Sequence, residues 1–278
     1  MSLAVLADAP GPRARHRQRI GGALGVGLAV LVLALVVWRL WSRGQFDANK
    51  WDPFADPDIQ RGIAQGVVAT LRVAFFSVLL ALGVGALLAV GRLSERAFVR
   101  APVVAFIEFF RAVPLLLLIL FLFIGFGDTL GAFWSLVLAL ILYNGSVLAE
   151  IFRAGILAVP RGQSEAAYAI GLRKSQVMTL VLVPQAVRTM LPAITSQCVV
   201  ALKDSALGFV IGYQELTRTG RLIYDGYFNI IPTALVIAAV YIAINYTLSK
   251  LAEWLERRQA RQFGAKAVQQ VEAATDIH

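Results

Sequence analysis

A chain of 278 residues in which 58% are hydrophobic and only 15% charged is too apolar for a water-soluble domain and reads as a polytopic membrane protein. The net charge of +9 is spread over basic residues that flank apolar runs and form no continuous face, which argues against a nucleic-acid partner. The single Cys198 excludes an internal disulfide and reads as a small packing residue, and two histidines at opposite ends exclude a histidine-based metal cluster.

In chain order, residues 1–19 form a basic arm with Arg13, Arg15, Arg17 and Arg19, placed on the cytoplasmic side. Ile20–Trp41 follows as an additional N-terminal membrane helix, long enough to cross an apolar core of about 30 Å. No small-residue cleavage site follows it, and Trp38 and Trp41 suit an interface. Gly21 and Gly25 form a small-xxx-small pair that favours helix packing. Residues 42–62 read as an extracytoplasmic connector with Asp47, Asp52, Asp56 and Asp58. Spans are then expected at about 67–91, 103–126, 133–157, 186–211 and 231–251, the fifth interrupted by Pro192. Between them lie an inner loop with Arg92, Glu95, Arg96 and Arg100, an outer turn at Gly127–Gly131, and an outer polar loop at Tyr213–Asn229. Arg257, Arg258 and Arg261 follow on the inside, and residues 259–278 form a cytoplasmic tail, disordered from Val268. Every basic loop then falls on one side, with both termini inside. The fold class is all-α, with about six transmembrane helices.

Between the fourth and fifth spans lies Ser164-Glu165-Ala166-Ala167-Tyr168-Ala169-Ile170-Gly171. Ser164 suits a helix N-cap, Glu165 the positive end of the helix, and Gly171 a left-handed C-terminus. The two alanines keep one face low for a partner's approach. A second helix would start at Ser175 and be closed or kinked by Pro184. This is a helix–turn–helix outside the membrane, with Arg161, Arg173, Lys174 and Arg188 marking the inner face. An ordinary polar loop is the alternative reading.

Glu165-Ala166-Ala167, Gly171 six positions after Glu165, and Val181-Leu182-Val183-Pro184 resemble the EAA loop of ABC-importer permeases. Val181 and Val183 stand where that family usually has isoleucine and leucine. Gly162-Gln163, Pro184-Gln185-Ala186 and Lys203-Asp204-Ser205-Ala206-Leu207 resemble its polar amino-acid branch, which usually has Thr-Ser where this chain has Ser205-Ala206. The resemblance covers about residues 63–258 and implies a five-helix type I importer core to which the first helix is an addition. It implies a cytoplasmic coupling loop at about 158–184, with Gln163, Glu165, Ala166, Ala167, Gly171 and Pro184 at the ATPase contact. The implied partners are two ATPase subunits, a second permease chain (identical or homologous), an extracytoplasmic amino-acid-binding protein and membrane lipid. The chain would need no cofactor, ATP being bound by the partner. The setting is the cell membrane of a prokaryote.

The chain has no Gly-Lys dipeptide and therefore no phosphate-cradling loop of its own, and it lacks nucleophile-elbow and paired-histidine motifs. A non-catalytic transport subunit is expected. Charges inside apolar runs are the pathway candidates. Glu108 and Arg111, three apart, share a helix face and form either a local ion pair or a pathway contact. The segment Phe110-Arg111-Ala112-Val113-Pro114 resembles the family's Phe-Arg-Gly-Thr-Pro. Glu150 would either bind a substrate amino group or pair with Arg153, and Asn144 lies two turns deeper. Lys203 and Asp204 read as the deepest pair, in mid-span, and as neighbours on a helix they need separate partners. The resemblance makes them part of the gate or pathway together with Ser205, with Lys203 favouring a carboxylate and Asp204 holding a neighbouring helix. Glutamate or aspartate is the expected substrate, with glutamine, arginine, histidine and cystine open. The alternative is an ion-coupled secondary transporter using Asp204 or Glu150, which would require inverted repeats; no internal repeat is evident.

Overall fold

The computed structural model describes residues 11–275, and among them every regular element is helical. Helix α1 spans Pro12–Ser42, α2 Pro57–Arg92, α3 Ala97–Ala112, α4 Leu115–Leu157, α5 Arg161–Ala169, α6 Lys174–Gln176, α7 Val183–Asp204, α8 Leu216–Tyr227 and α9 Ile230–Thr275. The side chains of Arg13, Arg15, Arg19, Arg257, Arg258 and Arg261 lie outside the described part. The helix carries on through residues 268–275, where an irregular tail was expected, and residues 276–278 lie outside the description.

Five helical stretches are long and apolar enough to cross a membrane: His16–Ser42, Pro57–Arg92, Leu115–Leu157, Lys174–Ile211 and Ile230–Leu251. They accommodate six passes because the third is broken. Pro114 cannot continue α3, and its ring drives Val113 into extended backbone at φ −72°, ψ 128°. The chain restarts at once as α4. The five-residue outer turn expected at 127–131 collapses onto one residue, Gly131, at φ 69°, ψ 168°. That conformation is open in practice only to glycine. It divides α4 into two arms, 115–130 and 132–157.

The core forms where α2 lies against the second arm of α4. The buried face of α2 is a row of small residues: Gly66, Thr70, Ala74, Ser77, Ala81, Gly85 and Ala89. Spaced three or four apart, they let the two backbones approach. A Cβ placed on Gly85 would stand 2.8 Å from Leu148 Cβ and 3.0 Å from the Gly145 carbonyl oxygen. Leu136, Val137, Leu140 and Leu148 fill the facing side. Large apolar side chains point outward elsewhere, among them Phe75, Leu87, Val90 and Ile124 at 63–78% exposure. Such a surface is unstable in water and suited to acyl chains. On α1 the apolar residues are open on every side, and none of its membrane-length window is buried against the chain.

Two prolines expected to end or interrupt helices do neither. Pro192 lies inside α7, which runs through it unbroken. Ahead of Pro184 the backbone widens into a π-turn at Val177–Leu182 and passes into α7, so Lys174–Ile211 forms a single span. A wide turn removes the conflict between a proline ring and the carbonyl four residues earlier.

Candidate functional site

Helix α5 begins on Pro160, not on Ser164 as its sequence suggests. Ser164 sits inside the helix, and its hydroxyl donates to the Arg161 carbonyl at 2.8 Å. Its C-terminus forms as expected. Gly171 has φ 84°, its N–H donates to the Tyr168 carbonyl at 2.9 Å, and the Leu172 N–H reaches Ala167 at 3.2 Å. These two bonds are the Schellman closure. The next helix starts at Lys174, one residue before Ser175, with the Gln176 side-chain oxygen accepting from the Arg173 N–H at 2.9 Å. The two alanines divide: Ala167 is buried, whereas Ala166 stays on the open face. Beside Ala166 lie exposed Glu165, Tyr168 at 49% and Ile170 at 78%. Gln163 and Gln185 meet at 3.4 Å, so α5 is tied to α7 across the π-turn, and Pro184 lies exposed next to that tie. Lys174 also pairs with Glu95 of the α2–α3 loop; this hydrogen-bonded charge holds the Glu95 carboxyl below its ordinary value.

Near the C-terminal ends of α2, α3 and α4 the charges form one network. Arg92, the last residue of α2, turns into the bundle and is its hub. Its Nε lies 2.8 Å from Glu150 Oε1 and its Nη1 3.2 Å from Glu108 Oε1. Arg153 Nη2 reaches Glu150 Oε2 at 3.2 Å, and Arg111 stands 3.9 Å from Glu108. Glu150 is thus held by two guanidinium groups, and the geometry favours the ion-pair reading over a substrate contact. Arg92 was read as a loop charge because positive residues at inner helix ends are the rule; nothing in the sequence marks its inward turn.

Asn144 is buried, donates to the Leu140 carbonyl at 3.0 Å and accepts from Gln197 Nε2 of α7 at 2.7 Å. Sequence reasoning passed over Gln197. Replacing it with leucine strands a buried carbonyl oxygen and should destabilise the protein by about 1 kcal/mol or more. Thermal unfolding of Gln197→Leu beside the Asn144→Leu/Gln197→Leu double variant checks this, the double variant being expected to recover most of the loss.

Lys203 and Asp204 do not lie mid-helix: they stand where α7 gives way to the 3-10 stretch Ser205–Ile211. Lys203 is exposed and lines an open groove of about 590 Å³ between α7 and α9, with Tyr241, Asn245 and Tyr246 opposite. Among the described residues no carboxylate pairs with it. The buried Asn245 Oδ1 in the same groove lacks a hydrogen-bond partner. Asp204, half-buried, holds no neighbouring helix through a hydrogen bond or ion pair among the described residues. Ser205 is buried and donates to its own helix, at the Leu202 carbonyl, 2.6 Å away. One further charge escaped the sequence reading: Arg72 of α2, whose guanidinium lies 4.9 Å from the centre of the Phe133 ring.

The segment expected to be an outer polar loop contains α8, capped by Glu215. Glu215 is fully buried, accepting from the N–H groups of Thr217 and Arg218 at 2.7 Å each and from the Tyr241 hydroxyl at 2.8 Å. Burial pushes its carboxyl above the ordinary value, and these donors pull it back.

A helical bundle with several membrane-length apolar helices and a short glycine-closed helix between two of them has the architecture of a membrane transport subunit. Residues 81–261 match the family of the binding-protein-dependent transport system inner membrane component, and the chain belongs to that family. It is a membrane-spanning permease subunit without catalytic activity, ATP hydrolysis being the work of a partner. The ion-coupled carrier is thereby set aside. The chain is 43% identical over 226 residues to the glutamate transport system permease protein GluD of Corynebacterium glutamicum, covering 79% of this chain and 83% of that one. It is 36% identical to the probable glutamine ABC transporter permease protein GlnP of Bacillus subtilis, covering 70% and 92%. It is 32% identical to the glutamate/aspartate import permease protein GltK of Escherichia coli O6:H1, covering 71% and 93%. A solved amino acid ABC transporter crystallised with histidines superposes with a TM-score of 0.68 at 34% identity, over 72% of this chain and 94% of that one.

Proposed function

We propose that this permease forms the translocation pathway of an ATP-driven importer for glutamate or aspartate. The observation that carries the acidic substrate is Lys203, which has no carboxylate partner among the described residues and faces an open groove across from Tyr241, Asn245 and Tyr246. A substrate carboxylate complements that cation, and an amino acid with two carboxylates offers one beyond its backbone carboxylate. Arg111, 3.9 Å from Glu108 and 40% exposed, is a second accessible cation, though it does not line that groove. Similarity to permeases named for glutamate and for glutamate/aspartate supports the same class.

The mechanism is alternating access. Exposed Glu165, Ala166, Tyr168 and Ile170 dock α5 on an ATPase subunit, and nucleotide-driven closure of two such subunits moves α5. The Gln163–Gln185 contact and the π-turn pass that movement to α7, which carries Lys203 at its far end. A binding protein delivers the ligand from outside, and hydrolysis resets the inward state. A second permease, identical or homologous, completes the pathway. Both termini lie on the cytoplasmic side, where the basic loops collect.

Uptake of labelled glutamate, aspartate, glutamine, arginine, histidine and cystine, with and without the chain, tests the reading. Selective loss of the acidic pair is expected. Lys203→Met should raise the apparent KM for glutamate about tenfold or more, the worth of one charge-assisted hydrogen bond. Selective loss of arginine or histidine uptake would leave the importer and remove the acidic assignment.

A further inference from the structure

α8 is wedged between α2 and α9 through an unusual set of contacts. A Cβ on Gly66 of α2 would lie 2.8 Å from Thr219 Oγ1, and one on Gly220 of α8 would lie 2.7 Å from Ile237 of α9. Around these glycines the contacts are mixed, with the Thr219 hydroxyl and the Leu216 backbone against Gly66, and Ile237 and the Thr233 methyl against Gly220. The Leu216 N–H donates to Thr70 Oγ1 at 3.2 Å, and the Tyr241 hydroxyl lies 3.1 Å from Thr217 Oγ1 while donating to Glu215. At its other end α8 passes into α9 through Phe228, at φ 51°. The Phe228 carbonyl accepts from Lys50 Nζ at 3.0 Å, and Asn229 Nδ2 donates to the Lys50 carbonyl at 3.0 Å. The helix is therefore fastened at two points to different parts of the chain.

The physical character of the first fastening sets it apart. Among the described residues no cation pairs with Glu215, whose charge is held by dipoles alone. Desolvating a carboxylate is costly, and that cost is returned whenever the group regains water. Parting α8 from α2 and α9 would expose Leu216, Ile223 and Ile237 along with glycines and hydroxyls, and the hydroxyls exchange one hydrogen-bond partner for water at little loss. The α2–α4 core is the larger apolar seam, with Val73, Leu136, Val137, Leu140 and Leu148 buried in it. Tyr241 joins this fastening to the pathway: its ring lines the groove that holds Lys203, while its hydroxyl holds Glu215.

We propose that α8 is the outer gate of the pathway and that Tyr241, acting on Glu215, is the latch that keeps it closed. The proposal rests on the topology and transport role given above, α8 then lying at the outer end. A ligand in the groove meets the Tyr241 ring, so occupancy of the pathway and release of α8 act on one residue. Tyr241 is a positioning residue: it sets where α8 sits, while the Glu215 bonds to Thr217 and Arg218 keep the helix capped without it.

The test uses the assembled importer in lipid, with Cys198→Ala and Ile223→Cys as background, since Ile223 is 4% exposed on the covered face of α8. Reaction with a membrane-impermeant maleimide should be slow in this background and about fivefold to tenfold faster with Tyr241→Phe, as expected for one lost hydrogen bond. ATP hydrolysis without binding protein should rise with it. Thr217→Val, which removes the other hydroxyl partner of Tyr241, should leave labelling within about twofold of the background. Unchanged labelling in Tyr241→Phe overturns the latch. Faster labelling with unchanged hydrolysis overturns the gate. Neither readout depends on substrate identity, so a wrong substrate assignment would show in the uptake panel and not here.

Discussion

Gly171→Val should abolish ATP-driven uptake while leaving the chain in the membrane with its helical core intact. A Cβ at this position meets nothing within 4 Å, so the substitution introduces no collision and acts through the backbone alone. At φ 84° an ordinary L-residue pays about 1–2 kcal/mol, and a β-branched one more. The chain escapes by leaving the left-handed conformation, which undoes the Gly171–Tyr168 and Leu172–Ala167 bonds closing α5. Ala167 then loses its seat, and with it the pose of Tyr168 and Ile170 on the open face. Two measurements separate the links: co-purification of the ATPase, expected to fall, and amino-acid uptake, expected to fall at least tenfold. Gly171→Asn, which tolerates the left-handed region, should keep most of both. Uptake by the valine variant within twofold of normal would show that α5 does not need its closure.

Arg92→Met should be the most destabilising change in the charge network that joins α2, α3 and α4. It leaves Glu150 with Arg153 alone and Glu108 with Arg111 at 3.9 Å. Arg92 and Glu150 are 16% and 18% exposed, so the pair is well shielded from water. Breaking such a pair from one side costs about 3 kcal/mol, chiefly because the remaining charge is stranded. Adding Glu150→Gln removes that charge, and the double variant should recover at least half of the loss. Thermal unfolding in detergent of the two single variants and the double decides it. A double variant as unstable as the sum of the singles would mean that Arg92 acts by packing and not through Glu150.

Much of this was legible in the sequence because the bilayer is a strict solvent. Spans and their order follow from apolar length, and the closure at Gly171 from a residue whose conformational freedom is unlike any other. Helix starts were less legible. Ser164 looked like a cap, yet Pro160 starts α5, since a proline at a helix entrance needs no N–H partner. Pro114 carried a readable signal, a proline that pushes its predecessor into extended backbone, and continuous hydropathy across 103–126 masked it. α8 was missed for a different reason: twelve residues with mixed polarity resemble a loop unless the buried acid in front is seen as a cap. Arg92, Gln197 and Tyr241 acquire partners 16 to 58 residues away, and no local pattern encodes such pairings.

α1 forms none of the long-range hydrogen bonds or ion pairs described above, although its apolar run is the most hydrophobic of the five. Its burial free energy is therefore exchanged with lipid and not with the protein. A chain shortened to begin near residue 43 should unfold at the same temperature as the full chain. Within this one chain the first helix is open on every side, so its share in the stability of the rest is expected to be small, and a lower unfolding temperature for the shortened chain would overturn that.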